Sequence, residues 1–523
     1  MRSGSISAAV LAVAMGAGFA QAATDLTIHA DRPGAVINKY IYGQFSEHLG
    51  TGIYGGIYVG ENSPIPNTRG IRNDVVAALK ELHVPLVRWP GGCFADEYHW
   101  RDGIGPKDKR VTRINTNWGG VPDPNTFGTH EFFDFVEQIG ADAYVNANMG
   151  TGTAAEAAQW LEYMTGDQDT TLVKERKANG RDKPFKVSIY ALGNETWGCG
   201  GNMRAEYYAD QYNQWATFMK SAQKPAPLML ASGDRSGDWT DFTKALMENR
   251  RAPMDGISLH YYTYLGPKWE DKDTALGFSE KGWINILSQT LKMDGFIKEH
   301  DAVMTAAEAK TAAAGGPKKK VGLFIDEWGT WHKPEPGSNP GFLVQQNTIR
   351  DAIVAAANLN IFHKYADRVE MTSIAQTINV LQAMLLTDGA KMVKTPTYWT
   401  FYMYKPFQEA TDLPIDIKTD NYSFGGFTVP QVSASAAKTK DGAIVIGLAN
   451  LDPHKSASIS AALAGAKGTK VTGEVLTGDV MDAHNTFDKP DTVHPMAFKN
   501  AKLSGGKLTA TLPAKSVVVL TIR

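Results

Sequence analysis

Between Tyr40 and Leu386 the chain repeats one unit, a short apolar run followed by a helix-forming stretch. The runs are Tyr40–His48, Leu86–Pro90, Asp142–Asn148, Phe185–Leu192, Pro227–Ser232, Gly256–Tyr262, Val321–Asp326 and Val369–Ile374. Helical stretches follow them at about Asn73–Leu82, Thr129–Gly140, Ala154–Met164, Met203–Ala222, Trp239–Arg250, Trp283–Ala313, Gln346–Ala356 and Gln376–Leu386. Runs that are apolar throughout belong to strands buried on both faces, and strand–helix alternation makes those strands parallel. Eight such units predict a (β/α)8 TIM barrel over residues 38–395. The charged span Asp167–Asp182 reads as an exposed connection.

The pattern changes near Pro396. Tyr398–Tyr404, Phe427–Ala434, Ala443–Leu448, Ser456–Leu463, Lys470–Leu476, Lys507–Leu512 and Val517–Ile522 are short and separated by Gly, Asp, Asn and Pro. They predict a C-terminal antiparallel β-sandwich over residues 396–523. The segment 23–37 holds one strand-like run, Leu26–Ala30, expected to join that sandwich.

Length allows more than one core: 523 residues exceed what a single domain usually holds. A net charge of −2 with no basic block argues against nucleic acid and anionic membrane as partners, and suits a neutral substrate such as a sugar. Arg2, the apolar run Ile6–Phe19 and Ala20-Gln21-Ala22 read as a secretory signal peptide over residues 1–22, cut near Ala22. An exported protein, periplasmic or extracellular, is therefore expected, and no later segment has the apolar length to span a bilayer. Two cysteines, Cys93 and Cys199, are too few for a disulfide framework.

Two strands end alike. The fourth run stops at Gly193 and is followed by Asn194 and Glu195; the seventh ends in Asp326 and Glu327. Active sites of such barrels sit at the C-terminal strand ends, so Glu195 and Glu327 would share one cleft. Paired carboxylates with tryptophans nearby point to glycoside hydrolysis. Nothing in the spacing of His, Cys and acidic residues implies a metal, and no cofactor motif is present.

Several motifs in order resemble the α-L-arabinofuranosidases of glycoside hydrolase family 51. They are YGQFSEHLG at Tyr42–Gly50, RWPGGCFADEYHWRDGIGP at Arg88–Pro106, NWGG at Asn117–Gly120, FGTHEF at Phe127–Phe132, GNETWGCGGNM at Gly193–Met203, SLHYY at Ser258–Tyr262 and DEWG at Asp326–Gly329. The resemblance implies a retaining, exo-acting enzyme that releases terminal α-L-arabinofuranosyl residues from arabinoxylan, arabinan and derived oligosaccharides. It implies Glu195 as acid/base, Glu327 as nucleophile, Asn194 on the sugar 2-hydroxyl and Glu47 on the arabinose hydroxyls. Arg88 would pair with Glu327 and Tyr262 would orient it, with Tyr261 pointing the other way along its strand. Trp118, Trp328 and Trp331 would wall the sugar site; Trp89 and Trp197 fit the core or its margin, and His48 and His260 structural roles. Some family members carry Asn where Cys93 stands, contacting the sugar. Cys93 and Cys199 fall in loops after alternate strands, whose Cα atoms need not come within about 7 Å, so their pairing stays open. Some relatives assemble, so a homo-oligomer is among the implications. The alternatives are a related retaining β-xylosidase or endo-β-glucanase, or a carbohydrate-binding barrel without chemistry.

Overall fold

A computed structural model describes residues 24–235, 239–266, 268, 270–316 and 318–523. The expected signal peptide, 1–22, lies outside the described residues. Eight parallel strands close into a barrel: β1 Gly43–Phe45, β2 Leu86–Trp89, β3 Asp142–Ala147, β4 Val187–Leu192, β5 Leu228–Asp234, β6 Gly256–Thr263, β7 Gly322–Thr330 and β8 Val369–Ala375. Leu86, Tyr144, Ile189, Ala191, Leu230, Phe324 and Met371 point inward and fill the barrel below the site, while their strand neighbours face the helices. That double burial is the reason the strands read as unbroken apolar runs.

Three local expectations are corrected. Gln376–Leu386 is not helical; the eighth helix is Pro396–Tyr404, expected as a strand. Thr395 accepts from the Tyr398 amide and Pro396 opens the first turn, both helix-start signals that the aromatic run obscured. This helix closes the ring: Tyr398 donates to the Ala78 carbonyl at 3.0 Å and Thr400 to the Ala352 carbonyl at 3.1 Å. Within the span expected as an exposed connection, Thr171–Ala178 is a helix capped by Thr170. Its buried Arg176 donates to the carbonyls of Tyr163 and Gly166.

Beyond the barrel, two sheets share a core. One runs Ile415–Lys418, Thr24–His29, Ala457–Ala464, Lys507–Leu512, Ala501–Ser504; the other runs Thr411–Asp412, Val432–Lys438, Ile444–Asn450, Ser516–Ile522, Val471–Thr477, Met496–Ala497. Pairing is antiparallel except where Thr24–His29 lies parallel to Ala457–Ala464. Ile446, Leu448, Val518 and Leu520 face the other sheet, whereas Val445, Ala449, Val517 and Val519 face the barrel. Gly447 matters here, because a Cβ would stand 2.6 Å from the Tyr404 hydroxyl. The second sheet is therefore covered on both sides, and the two regions form one continuous apolar body.

Candidate active site

Residues from β1, β2, β4, β6, β7 and β8 meet at the C-terminal mouth of the barrel around a cavity of about 680 Å³. Gly193 makes the turn that presents Asn194 and Glu195: its φ is +78°, and a Cβ would stand 2.8 Å from Thr196 Cγ2. In β7 the pairing register shifts between Ile325 and Trp328. This irregularity lets Asp326 and Glu327 both serve the interior, where strict alternation would send one of them outward.

The two glutamates face each other. One carboxylate oxygen of Glu195, one of Glu327 and one ring nitrogen of His260 lie within 4.8 Å of one another. Glu327 is held by donors: Arg88 Nη1 reaches Oε1 at 2.7 Å and the Tyr262 hydroxyl reaches Oε2 at 2.7 Å. The Arg88 guanidinium is fully buried, lies over the Phe45 ring at 4.3 Å, and also donates to Asn194 Oδ1. Arginine has only donors, so this contact fixes the Asn194 amide with its NH2 on the side away from Arg88. Gly92 permits the close approach of its loop, since a Cβ there would stand 2.9 Å from Glu327 Oε1 and 3.3 Å from Glu47 Oε1.

Glu195 sits differently. Its Oε1 accepts from His260 Nδ1 at 2.8 Å, and Oε2 lies 3.6 Å from Cys199 Sγ. Burial raises its pKa, Glu327's charge pushes the same way, and His260 opposes both. His260 Nε2 is 3.1 Å from Asp326, which also accepts from the Tyr144 hydroxyl at 2.7 Å. Burial alone would lower the His260 pKa, but the charges of Glu327 and Asp326 raise it to about 10, making it an imidazolium near neutrality.

Glu47 forms the far wall. It accepts from the Phe94 amide (3.1 Å), Trp118 Nε1 (2.8 Å) and Gln376 Nε2 (3.1 Å). Burial, then the charge of Glu327, raises its pKa to about 7. Trp331 lines the cavity, edge-on to Tyr262 at 4.9 Å. Cys93 lines it too and is bonded to Cys199, with Cα atoms 5.6 Å apart, so the loops after β2 and β4 do come within reach.

Trp328 is corrected. It is fully buried on the outer face of β7 against Phe362 and Phe401, with Nε1 on Thr372 at 3.0 Å, because it alternates with the inward Glu327. Tyr261 donates to the Gln289 carbonyl on the helix side. His48 is structural, pinned between Asp123 and Trp89 Nε1. Trp197, assigned to the core or its margin, lines the cavity with Arg235 and Trp239. His260, expected in a structural role, instead lies in the cavity against both glutamates, and Gln376 and Asp96 escaped the sequence reading. For His260 a signal existed, since it stands two residues before Tyr262 on one strand and so shares its face. Asp96, which accepts from the amides of Asn194, Met149 and Gly150, had none.

A closed parallel barrel with two carboxylates at one mouth has the architecture of the barrel glycoside hydrolases. Residues 78–273 match the family model described as α-L-arabinofuranosidase 1 domain, and 326–516 the α-L-arabinofuranosidase C-terminal domain. An intracellular exo-α-L-arabinofuranosidase of Bacteroides ovatus is 47% identical over 96% of both chains. A probable α-L-arabinofuranosidase C of Aspergillus niger is 32% identical over 90% of this chain and 92% of its own. The crystal structure of the GH51 arabinofuranosidase from Xanthomonas axonopodis pv. citri superposes with a TM-score of 0.93 at 50% identity, covering 96% of this chain and all of that one. The protein is thus a glycoside hydrolase that acts on carbohydrate. It belongs to the α-L-arabinofuranosidases of glycoside hydrolase family 51. The expectation of export is corrected by the Bacteroides relative, named intracellular although it matches nearly the whole chain. Among the described residues no helix is long and apolar enough to cross a membrane.

Proposed function

We propose that the enzyme is exo-acting and releases terminal α-L-arabinofuranosyl residues from arabinoxylan, arabinan and their oligosaccharides with retention of configuration. The observation that carries this reading is the unequal setting of two close carboxylates: Glu327 is clamped by Arg88 and Tyr262, while Glu195 has its pKa raised by burial. Retention needs carboxyl groups about 5 to 5.5 Å apart, whereas inversion leaves about 6.5 to 9.5 Å for a water. An oxygen–oxygen approach within 4.8 Å supports the first.

Glu327 attacks the anomeric carbon as Glu195 protonates the departing oxygen, breaking the glycosidic bond and forming a glycosyl ester. Esterification removes the charge of Glu327, one of the influences raising the Glu195 pKa, so Glu195, having given its proton to the leaving group, stays ionised and is available as the base for the incoming water. Glu47 and Asn194 take sugar hydroxyls, and a substrate lacking them leaves buried polar groups unpaired. The wall made by Glu47, Trp118 and Gln376 supports a pocket for a chain end over the open groove an endo-glucanase needs.

Glu195→Ala should retain glycosylation with activated aryl arabinofuranosides, accumulate the ester and regain turnover with azide. Full activity without azide would refute its role. With a slow fluorinated arabinofuranoside, mass spectrometry should find the adduct on Glu327; an adduct elsewhere reassigns the nucleophile.

A further inference from the structure

The Cys93–Cys199 disulfide spans the mouth of the barrel, joining the loop after β2 to the loop that carries Glu195. It touches the chemistry directly: Cys199 Sγ lies 3.6 Å from Glu195 Oε2 and 3.9 Å from Asn194 Nδ2. His260 already occupies Oε1, so Oε2 is the oxygen that must carry the proton for the leaving group. A disulfide sulfur has no hydrogen to donate, and Oε2 keeps its proton facing the cavity. A thiol in the same place is a donor, weak in general but aimed here at a buried carboxylate.

We propose that this disulfide is a redox-controlled positioning element for Glu195, and that its reduction weakens leaving-group protonation. The inference rests on the reading of Glu195 as acid/base. Cys199 is exposed and open to a dithiol. A reductant thiolate attacks Cys199 Sγ, breaking the S–S bond and releasing Cys93 as a thiolate that takes up a proton. The reductant's second thiolate then closes its own disulfide and frees Cys199, which is protonated in turn. The protein gains two electrons and two protons; the dithiol loses them. No other cysteine exists in the chain, so no alternative internal bond can form and the system has two states.

In the reduced state two effects act together. The Cys199 S–H binds Oε2 and favours the ionised carboxylate, and the loop after β4 loses its tie to the loop that donates the Phe94 amide to Glu47. The other groups facing Glu195 are His260 and Tyr262 on β6, Glu327 on β7 and Arg88 on β2, and reduction changes none of them chemically.

The test uses the whole enzyme, with dithiothreitol as the dithiol and intact mass confirming a gain of two hydrogens. General-acid catalysis supplies about 10²- to 10⁴-fold, and partial loss should lower kcat/KM about tenfold or more for a poor leaving group such as phenol. For dinitrophenol, which departs without a proton, kcat/KM should change by less than about twofold. The alkaline limb of the kcat/KM–pH profile should move to lower pH on reduction. Cys93→Ala, which leaves the Cys199 thiol in place, should reproduce that shift; Cys199→Ala, with neither bond nor donor, should not. Unchanged rates and profile in enzyme shown by mass to be reduced would overturn the proposal, as would equal shifts in the two variants. Full activity of Glu195→Ala would instead remove the acid/base reading, whatever reduction does.

Discussion

Tyr262→Phe deletes one oxygen from the site and little else. The hydroxyl donates to Glu327 Oε2 at 2.7 Å, while the ring stands edge-on to Trp331 at 4.9 Å. Phenylalanine keeps the ring, so the wall of the pocket survives. What is lost is a hydrogen bond to a charged group, worth about 1.5 to 3 kcal/mol. Arg88 still grips Oε1, so the carboxylate keeps its charge partner and loses its second anchor. If that anchor aims Oε2 at the anomeric carbon, the whole loss falls on glycosylation. At about 1.4 kcal/mol per decade it lowers kcat/KM roughly 10- to 100-fold. The assay is kcat/KM with nitrophenyl α-L-arabinofuranoside at neutral pH, compared with kcat, which should fall less where hydrolysis of the ester limits turnover. Azide should not rescue the variant, because the acid/base is intact. A kcat/KM within twofold of the parent would show that Arg88 alone positions Glu327.

Gln44 is fully buried on β1 with neither amide atom hydrogen-bonded, so Gln44→Leu should stabilise the protein by about 1 to 3 kcal/mol, read as a higher Tm in thermal unfolding. Trp331→Ala should raise KM because its ring lines the cavity, whereas Trp328→Ala should leave KM unchanged and cost about 3 to 5 kcal/mol of stability by opening a core cavity; a raised KM for Trp328→Ala with none for Trp331→Ala would refute the assignment of faces. Asp351 is fully buried; burial would raise its pKa, yet His332, Arg350 and the Thr348 amide bring it from 3.8 down to about 2. A depressed carboxylate stabilises above its unfolded pKa and loses that contribution as pH falls through the folded one, here about 2 kcal/mol between roughly pH 4 and pH 2. Asp351→Asn should therefore lower Tm at pH 7 and flatten its fall over that acid window, as followed by circular dichroism.

The helix at Pro396–Tyr404 shows why local reading stopped short. Its aromatic residues favour strands in isolation, yet they fill the groove between the first and seventh barrel helices, and closure of the ring outweighs propensity. Cys93 and Cys199 show the same limit at the site, because loop distance depends on strand tilt and loop path rather than on sequence separation.

By itself the sequence determined that eight apolar strands would pack in parallel and that Asn194-Glu195 and Asp326-Glu327 would stand at strand ends. A strand covered on both faces must be apolar until it leaves the core, so a polar pair marks the exit. Tertiary structure alone decided which side chains turn inward there. A register shift in β7 brings Asp326 and Glu327 to one cavity and sends Trp328 to the helices, and His260 reaches between the two glutamates from the neighbouring strand. Period-two alternation is a local property of a chain. The irregularities that break it are set by the closure of the barrel, where each strand must match two neighbours at once.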